Sequence, residues 1–125
     1  MGLRIEIRAR VNPTEEAEKV KRAILNIFPD ARFILEGGEM EAEAESIENF
    51  AKLLKEQRIR DSARNVLLGN LYGDEVHFEL NKQAAYVGRV SFSVGEVALG
   101  SIHVVIRGEN LREVIERIAP DTRNL

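Results

Sequence analysis

The strongest constraint on the fold is a strict alternation of apolar and charged residues near the amino terminus. Leu3, Ile5, Ile7, Ala9 and Val11 alternate with charged residues at every intervening position. Because successive side chains of a strand point to opposite faces, this period of two predicts a β-strand with one buried face and one solvated face. Shorter alternating runs predict five more strands, centred on residues 33–35, 40–44, 76–80, 90–94 and 102–106.

Apolar residues at helical spacing predict four helices between and after these strands. The first helix is expected to begin with Asn12 as its cap and Pro13 as its first helical residue. Ser46 is the expected cap of the second helix. The third helix should span roughly residues 59–71, and the last should lie within residues 111–119, ahead of a proline.

The predicted element order is β-α-β-β-α-α-β-β-β-α, with short turns joining several of the strands. Amphipathic strands joined in this way favour an antiparallel or mixed sheet that has one face covered by helices. We therefore expect an α+β fold, a two-layer sandwich of about six strands. Residues 1–120 should form one domain, followed by a loose tail at residues 121–125.

The composition limits the classes of function. There is no cysteine among the 125 residues, which excludes a disulfide or a zinc–thiolate site and is compatible with a reducing cytoplasm, where we expect the protein. Residues 1–10 contain no continuous apolar run, so we expect neither a signal peptide nor a membrane span. The net charge of −3 does not suit a generally basic nucleic-acid binder, so such an activity would need a local basic patch. The high content of Glu, Lys and Arg suits a heat-adapted source.

Two groups of side chains could be considered as metal ligands. The first is a run of glutamates at a spacing of two, namely Glu39, Glu41, Glu43 and Glu45. We favour a cross-strand ladder in which they face the arginines of the first strand, because a regular strand rarely supplies the closed oxygen cage of a calcium site. The second is His77 and His103 with Glu79, but no short-range ligand spacing supports a zinc site there. We expect neither a metal nor a cofactor.

No catalytic arrangement is evident in the sequence. Ser91, Ser93 and Ser101 lack the strained, glycine-flanked turn that presents a hydrolase nucleophile. The glycines are scattered or paired in a turn, and they form no phosphate loop followed by Lys and Ser or Thr. We therefore expect the protein not to be an enzyme.

The third predicted helix carries a basic flank in this acidic chain. Arg60 and Arg64 are separated by about one helical turn, and Arg58 precedes them. Guanidinium groups suit phosphate because their donors form a planar fork. The alternative is a solvated flank in which these arginines pair with Glu56 and Asp61.

The connection between the strands predicted at residues 76–80 and 90–94 carries further polar groups. It is longer than a hairpin requires, and long loops on a rigid scaffold commonly hold functional residues. If this connection lies beside the third helix, the two segments form one phosphate-contacting patch, which we predict to consist of Arg60, Arg64, Lys82, Gln83 and Arg89.

Three motifs of the chain are distinctive. They are Asp61-Ser62-Ala63-Arg64, the string Leu80-Asn81-Lys82-Gln83-Ala84-Ala85 with Gly88, and Leu99-Gly100. In these motifs, and over nearly its whole length, the chain resembles a small archaeal family of uncharacterised proteins catalogued as RNA-binding domains. The resemblance implies RNA binding. It also implies a fold similar to that of the large-subunit ribosomal protein that contacts 5S rRNA.

The function that we predict is a non-enzymatic RNA-binding module that contacts structured RNA through the local basic patch. Ribosomal RNA is one candidate partner, and the small number of aromatic residues favours structured RNA over splayed single strands. The alternative is a protein-interaction or oligomerising domain, such as a homodimer formed through an exposed sheet edge. A continuous basic patch would support the first function, whereas a flat exposed apolar patch would support the second.

Overall fold

The computed structural model describes residues 2–93 and 100–121, and it packs helices against one face of a β-sheet. In these residues the sheet has six strands, which are β1 (Arg4–Arg10), β2 (Arg32–Leu35), β3 (Glu39–Ala44), β4 (Leu71–Tyr72), β5 (Glu75–Asn81) and β6 (Ser101–Arg107). Their spatial order is β2-β3-β1-β6-β5-β4, and every neighbouring pair is antiparallel.

Five helices occur in the same residues. They are α1 (Ala17–Ile27), α2 (Glu48–Glu56), α3 (Arg60–Gly69), α4 (Lys82–Tyr86) and α5 (Leu111–Ile118). The predicted α+β class, the sheet of six strands and the order of the main elements are confirmed.

The core lies between the helices and the inner face of the sheet. In β1 the side chains of Ile5, Ile7 and Ala9 are buried, whereas those of Arg4 and Arg8 are exposed on the outer face. The same alternation occurs in β3, β5 and β6, and the buried residues of all four strands join one cluster with those of the helices. Period-two patterning therefore determines which face of the sheet receives the helices.

Four phenylalanines run through this core. The ring of Phe50, on α2, lies 5.9 Å from that of Phe28 and 5.4 Å from that of Phe78, and both pairs are stacked. Phe92 meets Phe78 nearly edge-on, with the ring centroids 5.7 Å apart. Aromatic rings at such distances stabilise a core beyond the area that they bury. They join α2 to β5.

The first helix begins later than the sequence predicts. It starts at Ala17, and Asn12 and Pro13 lie in the preceding turn. The reason is a competing hydrogen bond, because the backbone N–H and the side-chain amide of Asn12 both donate to Glu15 Oε1 at 2.9 Å. Asx side chains and their neighbours often stabilise such turns in place of a helical start.

The connection after β5 also differs from the prediction. Its first part forms the short helix α4, in which Asn81 is the N-cap and its side chain accepts a hydrogen bond from the backbone N–H of Ala84. The predicted strand at residues 90–94 is reduced, in its described part, to one bridge between Leu80 and Phe92. Val94 lies outside the described residues.

No helix within residues 2–93 and 100–121 has the length and apolar character needed to cross a membrane.

Candidate nucleic-acid interface

Lys82 lies in the interior of the protein. Its ammonium group donates to the backbone carbonyl oxygen of Arg10 at 2.7 Å and to Glu15 Oε1 at 3.0 Å. The side chains of Lys82 and Glu15 are only 1% and 6% exposed. A phosphate on the surface cannot reach this ammonium group in the present conformation, so the structure corrects the prediction that Lys82 belongs to an exposed patch. Helix α4 turns Lys82 inward, toward the connection between β1 and α1.

The surroundings of Glu15 favour its ionised form. Burial by itself raises the pKa of Glu15, but hydrogen bonds from Asn12, Lys82 and Tyr86 together outweigh burial and hold the pKa below its ordinary value. Tyr86 donates its hydroxyl to Glu15 Oε2 at 3.0 Å. Burial and this bond to a carboxylate raise the pKa of Tyr86 to about 12. Glu15, Lys82 and Tyr86 therefore form a hydrogen-bonded group that contains one carboxylate and one ammonium. This group anchors α4 to the turn before α1.

The other end of α4 is fixed by α1. The side-chain amide of Asn26 donates to the backbone carbonyl oxygens of Ala85 and Tyr86, at 2.9 and 3.2 Å. These bonds add a partner at the end of α4, where the carbonyl oxygen of Ala85 also accepts from the backbone N–H of Gly88. The distinctive Asn-Lys-Gln-Ala-Ala string is thus largely a structural element. Gln83 is its exposed polar residue, on a helix whose main packing partner is α1.

Arg64 is occupied by an ion pair. Its guanidinium group contacts both carboxylate oxygens of Glu116 on α5, each at 2.7 Å, and it also donates to the carbonyl oxygen of Ala119. The hydrogen bonds that Arg64 donates to Glu116 raise the pKa of Arg64 and lower the pKa of Glu116. The Arg64 side chain is 18% exposed. Its fork therefore joins α3 to α5, and a phosphate would have to displace a bidentate carboxylate to use it.

Three cations meet where α2 ends and α3 begins. Lys55, Arg58, Arg60 and Asp61 line a hollow of about 240 Å³, which we call the basic hollow. Within the described part of the chain, no carboxylate lies within 4.0 Å of the charged nitrogens of the three cations. Arg58 and Arg60 stand out in the sequence as part of a basic flank, whereas Lys55 was not predicted to join them. The sequence feature that could have indicated Lys55 is the close spacing of Lys55, Arg58 and Arg60 across the end of α2.

The backbone at Arg58 is unusual for a residue with a side chain. Its φ angle is +59°, in the left-handed region. The backbone N–H of Arg58 donates to the carbonyl oxygen of Lys55, and that of Ile59 donates to Leu54. This pair of bonds is the Schellman ending of a helix, in which glycine is the usual residue at the left-handed position. Arginine at that position carries a steric cost of about 1–2 kcal/mol.

Gln57 brings the segment after α4 to the end of α2. Its side-chain amide donates to the carbonyl oxygen of Val90 at 2.9 Å and accepts from the backbone N–H of Val90 at 2.7 Å. Gln57 precedes Arg58, and the exposed Arg89 precedes Val90. The segment that follows α4 therefore lies beside the end of α2. Arg89 is exposed one residue before Val90, and it is not among the residues that line the basic hollow.

The outer face of the sheet carries the predicted alternation of opposite charges. In the antiparallel pairing of β1 with β3, Arg8 lies opposite Glu41 and Arg10 lies opposite Glu39. Arg4 donates to Glu43 at 2.9 Å. This arrangement agrees with the cross-strand ladder and explains the run of glutamates without an ion.

The two histidines are diagonal neighbours on the outer face, because His103 lies opposite Glu79 and His77 lies opposite Val105. His77 contacts Glu75 at 2.9 Å, and His103 lies 3.5 Å from Glu79. No group of three or more His, Asp or Glu side chains in the described residues is arranged to hold a metal ion. Each histidine is placed beside one carboxylate.

A second hollow opens at the sheet edge beside β4. Its volume is about 680 Å³, and its lining comes from α3, β4, β5, β6 and the segment after α4, namely Asn65, Val66, Gly69, Asn70, Tyr72, His77, Phe78, Glu79, Phe92, Ser93 and His103. We call it the edge hollow. It was not predicted from the sequence, because it opens between the two-residue strand β4, which pairs only with Glu75 and Val76 of β5, and the bridge between Leu80 and Phe92.

Comparison with known proteins assigns the family. A family model described as RNA binding matches residues 4–108, which include the basic hollow, α4 and the edge hollow. The chain belongs to this family. The archaeal family that the sequence motifs resemble is thereby confirmed.

Several related archaeal proteins match almost the whole chain. A UPF0200/UPF0201 protein of Archaeoglobus fulgidus is 42% identical over 98% of this chain, which spans only 39% of that protein. A UPF0201 protein of Methanocaldococcus jannaschii is 42% identical over 97% of this chain and 75% of its own length. The crystal structure of a UPF0201 protein from Methanococcus jannaschii has a TM-score of 0.88, at 42% identity, and the match covers 95% of this chain and 94% of that one. The likeness to the 5S-rRNA-binding ribosomal protein stays a prediction.

Proposed function

We propose that this protein binds structured RNA without catalysing a reaction, and that the basic hollow contacts the phosphate backbone. The observation that carries the proposal is the meeting of Lys55, Arg58 and Arg60 at one hollow, in a chain of net charge −3. Arg89 adds a fourth cation from the neighbouring segment. Membership of a family described as RNA binding supports the same function.

The backbone of Arg58 also supports this proposal. A side chain in the left-handed region destabilises the fold, and such strain is concentrated at functional sites in proteins. Glycine would relieve the strain and keep the Schellman ending. We infer that arginine is retained at this position for its guanidinium group, which can donate two parallel hydrogen bonds to a phosphate.

Structured RNA fits the proposal better than an extended single strand. Proteins that bind single strands without sequence preference stack successive bases on a series of aromatic side chains. This chain has two tyrosines and no tryptophan, and Tyr86 is engaged by Glu15. Helical RNA is recognised mainly through its shape, phosphates and 2′-hydroxyl groups. A compact group of cations meets that requirement.

The other titratable groups that stand out are used in structural contacts. The carboxylates of Glu15 and Glu116 have lowered pKa values because they pair with Lys82 and Arg64, respectively. Both contacts join secondary-structure elements. This use supports a binding protein, because general acid–base catalysis needs a group free to exchange protons near neutral pH.

Fluorescence anisotropy with a labelled RNA hairpin tests the proposal. The hairpin should bind more tightly than an unstructured RNA of the same length, and the RNA recovered afterwards should have its original length. Equal affinity for the two RNAs would contradict the preference for structure. Shortened RNA would contradict the non-enzymatic role, and absence of binding at low salt would contradict the proposed function altogether.

A second candidate function rests on the opposite edge of the sheet. Ile34 and Leu35, on edge strand β2, are exposed. An exposed edge strand with apolar side chains is a template for pairing with another chain. A homodimer formed through β2 would give a doubled mass in light scattering at high protein concentration, and Ile34→Lys should abolish it. A monomer at all concentrations would exclude this candidate.

A further inference from the structure

We propose that the edge hollow binds a single unpaired nucleobase, stacked on Tyr72. The inference deepens the proposed function and rests on it, since it assigns a second contact to the same RNA. The basic hollow would hold the phosphate backbone, and the edge hollow would select RNA that presents one base outside its helix.

Tyr72 is exposed at the edge hollow. Its side chain is 74% exposed, on the two-residue edge strand β4. No other aromatic ring in the described residues packs against it, whereas the phenylalanines in the lining belong to the core cluster. An exposed ring beside an apolar surface is suited to stacking, because every nucleobase has a π-face.

The edge hollow also contains polar groups. The side-chain amides of Asn65 and Asn70 lie in the lining, and each offers both a donor and an acceptor. The hydroxyl of Ser93 is buried and has no hydrogen-bond partner in the described part of the protein. Unstacked bases are read by hydrogen bonds along their Watson–Crick and Hoogsteen edges. Amides beside an aromatic ring supply the groups that such recognition requires.

The edge hollow has the size of a small-molecule site. The hollow has a volume of about 680 Å³. This value lies within the range of about 300–1,000 Å³ that is typical of small-molecule sites, which combine an apolar lining with a few polar groups. The partly buried residues Val66 and Phe92 supply apolar surface, and the two amides supply polar groups.

The two hollows take lining residues from different parts of α3. Arg60 lies at the start of α3, and Asn70 follows its end. Ten residues of helix correspond to about 15 Å. A stacked strand rises about 3.4 Å per nucleotide, so this separation equals about four nucleotides. An RNA whose phosphates occupy the basic hollow can therefore place an unpaired base in the edge hollow a few nucleotides away.

Two hairpins that differ by one nucleotide test this inference. One is fully paired in its stem, and the other carries a single bulged 2-aminopurine, whose fluorescence falls when it stacks. We expect the wild-type protein to bind the bulged hairpin more tightly and to quench the 2-aminopurine. Tyr72→Ala should weaken binding of the bulged hairpin by about 5-fold to 150-fold, which is the range for loss of one stacked base. Tyr72→Phe should retain both the affinity and the quenching.

The paired hairpin separates this inference from the proposed function. Its affinity should be the same for the wild type and both Tyr72 variants, because the basic hollow is intact in all three. If the wild type binds both hairpins equally, the nucleobase site is wrong and the RNA-binding function stands. If Tyr72→Ala weakens both hairpins equally, base recognition is likewise wrong. If neither hairpin binds, the proposed function fails, and the inference fails with it.

Discussion

The ammonium group of Lys82 lies 3.0 Å from the carboxylate of Glu15, and both side chains are almost completely buried. This pair joins the start of α4 to the turn before α1, across 67 positions of the chain. It removes from the surface a lysine that the sequence placed in a basic patch. Burying two charges is unfavourable unless each finds a partner, so the pair is sensitive to the loss of either member.

Lys82→Met is expected to destabilise the fold strongly. The substitution leaves the carboxylate of Glu15 buried without its cationic partner, which typically costs about 3–5 kcal/mol. Chemical denaturation measures the free energy of unfolding. Gln83→Met, one position along the same helix but exposed, is the matched control and should change stability by less than about 0.5 kcal/mol. Similar effects of the two substitutions would contradict a buried pair.

Glu15 should make stability depend on acidity. Its pKa is lower in the folded protein than in the unfolded chain, where it is about 4.3. Its contribution is therefore fully present above the unfolded pKa and is lost as the pH falls through the folded pKa. The difference in unfolding free energy between the wild type and Glu15→Gln should be largest near neutrality and should shrink in acid. A difference independent of pH would refute the assignment. Glu16→Gln, at an exposed neighbouring position, is the control.

Phe78→Ala should remove most of the stability of the domain. Phe78 is buried between Phe50 and Phe92, with ring centroids 5.4 and 5.7 Å away. Truncation of a buried phenylalanine costs about 3–5 kcal/mol, because the neighbouring side chains cannot fill the cavity. Thermal denaturation followed by circular dichroism provides the measurement. The exposed Tyr72→Ala serves as control, and an unchanged midpoint for Phe78→Ala would mean that the core is packed differently.

Arg58→Gly should separate stability from binding. Glycine adopts a φ of +59° without the steric cost that arginine carries, so the free energy of unfolding should stay the same or rise by up to about 1 kcal/mol. Affinity for a structured RNA should fall, because one of the three cations of the basic hollow is lost. Unchanged affinity would exclude a role for Arg58 in binding. A large loss of stability would contradict the left-handed conformation.

The sheet and the main helices could be predicted from the sequence because their signals are local. The alternation around Ile5 and Ile7 specifies a face of the sheet without reference to any distant residue. The contacts of two predicted site residues, Lys82 and Arg64, depend instead on partners that are distant in the sequence. Lys82 is buried by an acid 67 positions away, and Arg64 is engaged by Glu116, 52 positions away. No periodicity in a single sequence encodes such pairings.

The basic hollow was predictable in part. Arg60 belonged to the predicted patch and lines the basic hollow. The segment that contains Arg89 is held at the end of α2 by the side chain of Gln57, which bonds to both backbone groups of Val90. Glutamine at the end of a helix ordinarily indicates only a solvated position. The edge hollow was not predictable, because it arises where the two-residue strand β4 stops short along β5.

If the basic hollow contacts RNA phosphates, the affinity of the protein for an RNA hairpin should depend steeply on salt concentration. With about four phosphates neutralised, log affinity should fall against log salt with a slope near −3 to −4. Replacing Arg58 by Gly and Arg60 by Ala together should flatten the slope by about 1.4 to 1.8, since each phosphate contact contributes about 0.7 to 0.9. Arg8→Ala with Arg10→Ala, on the outer face of the sheet, should leave the slope unchanged. Equal flattening by the two double variants would contradict the claim, because it would show that the RNA responds to a diffuse charge and not to the basic hollow.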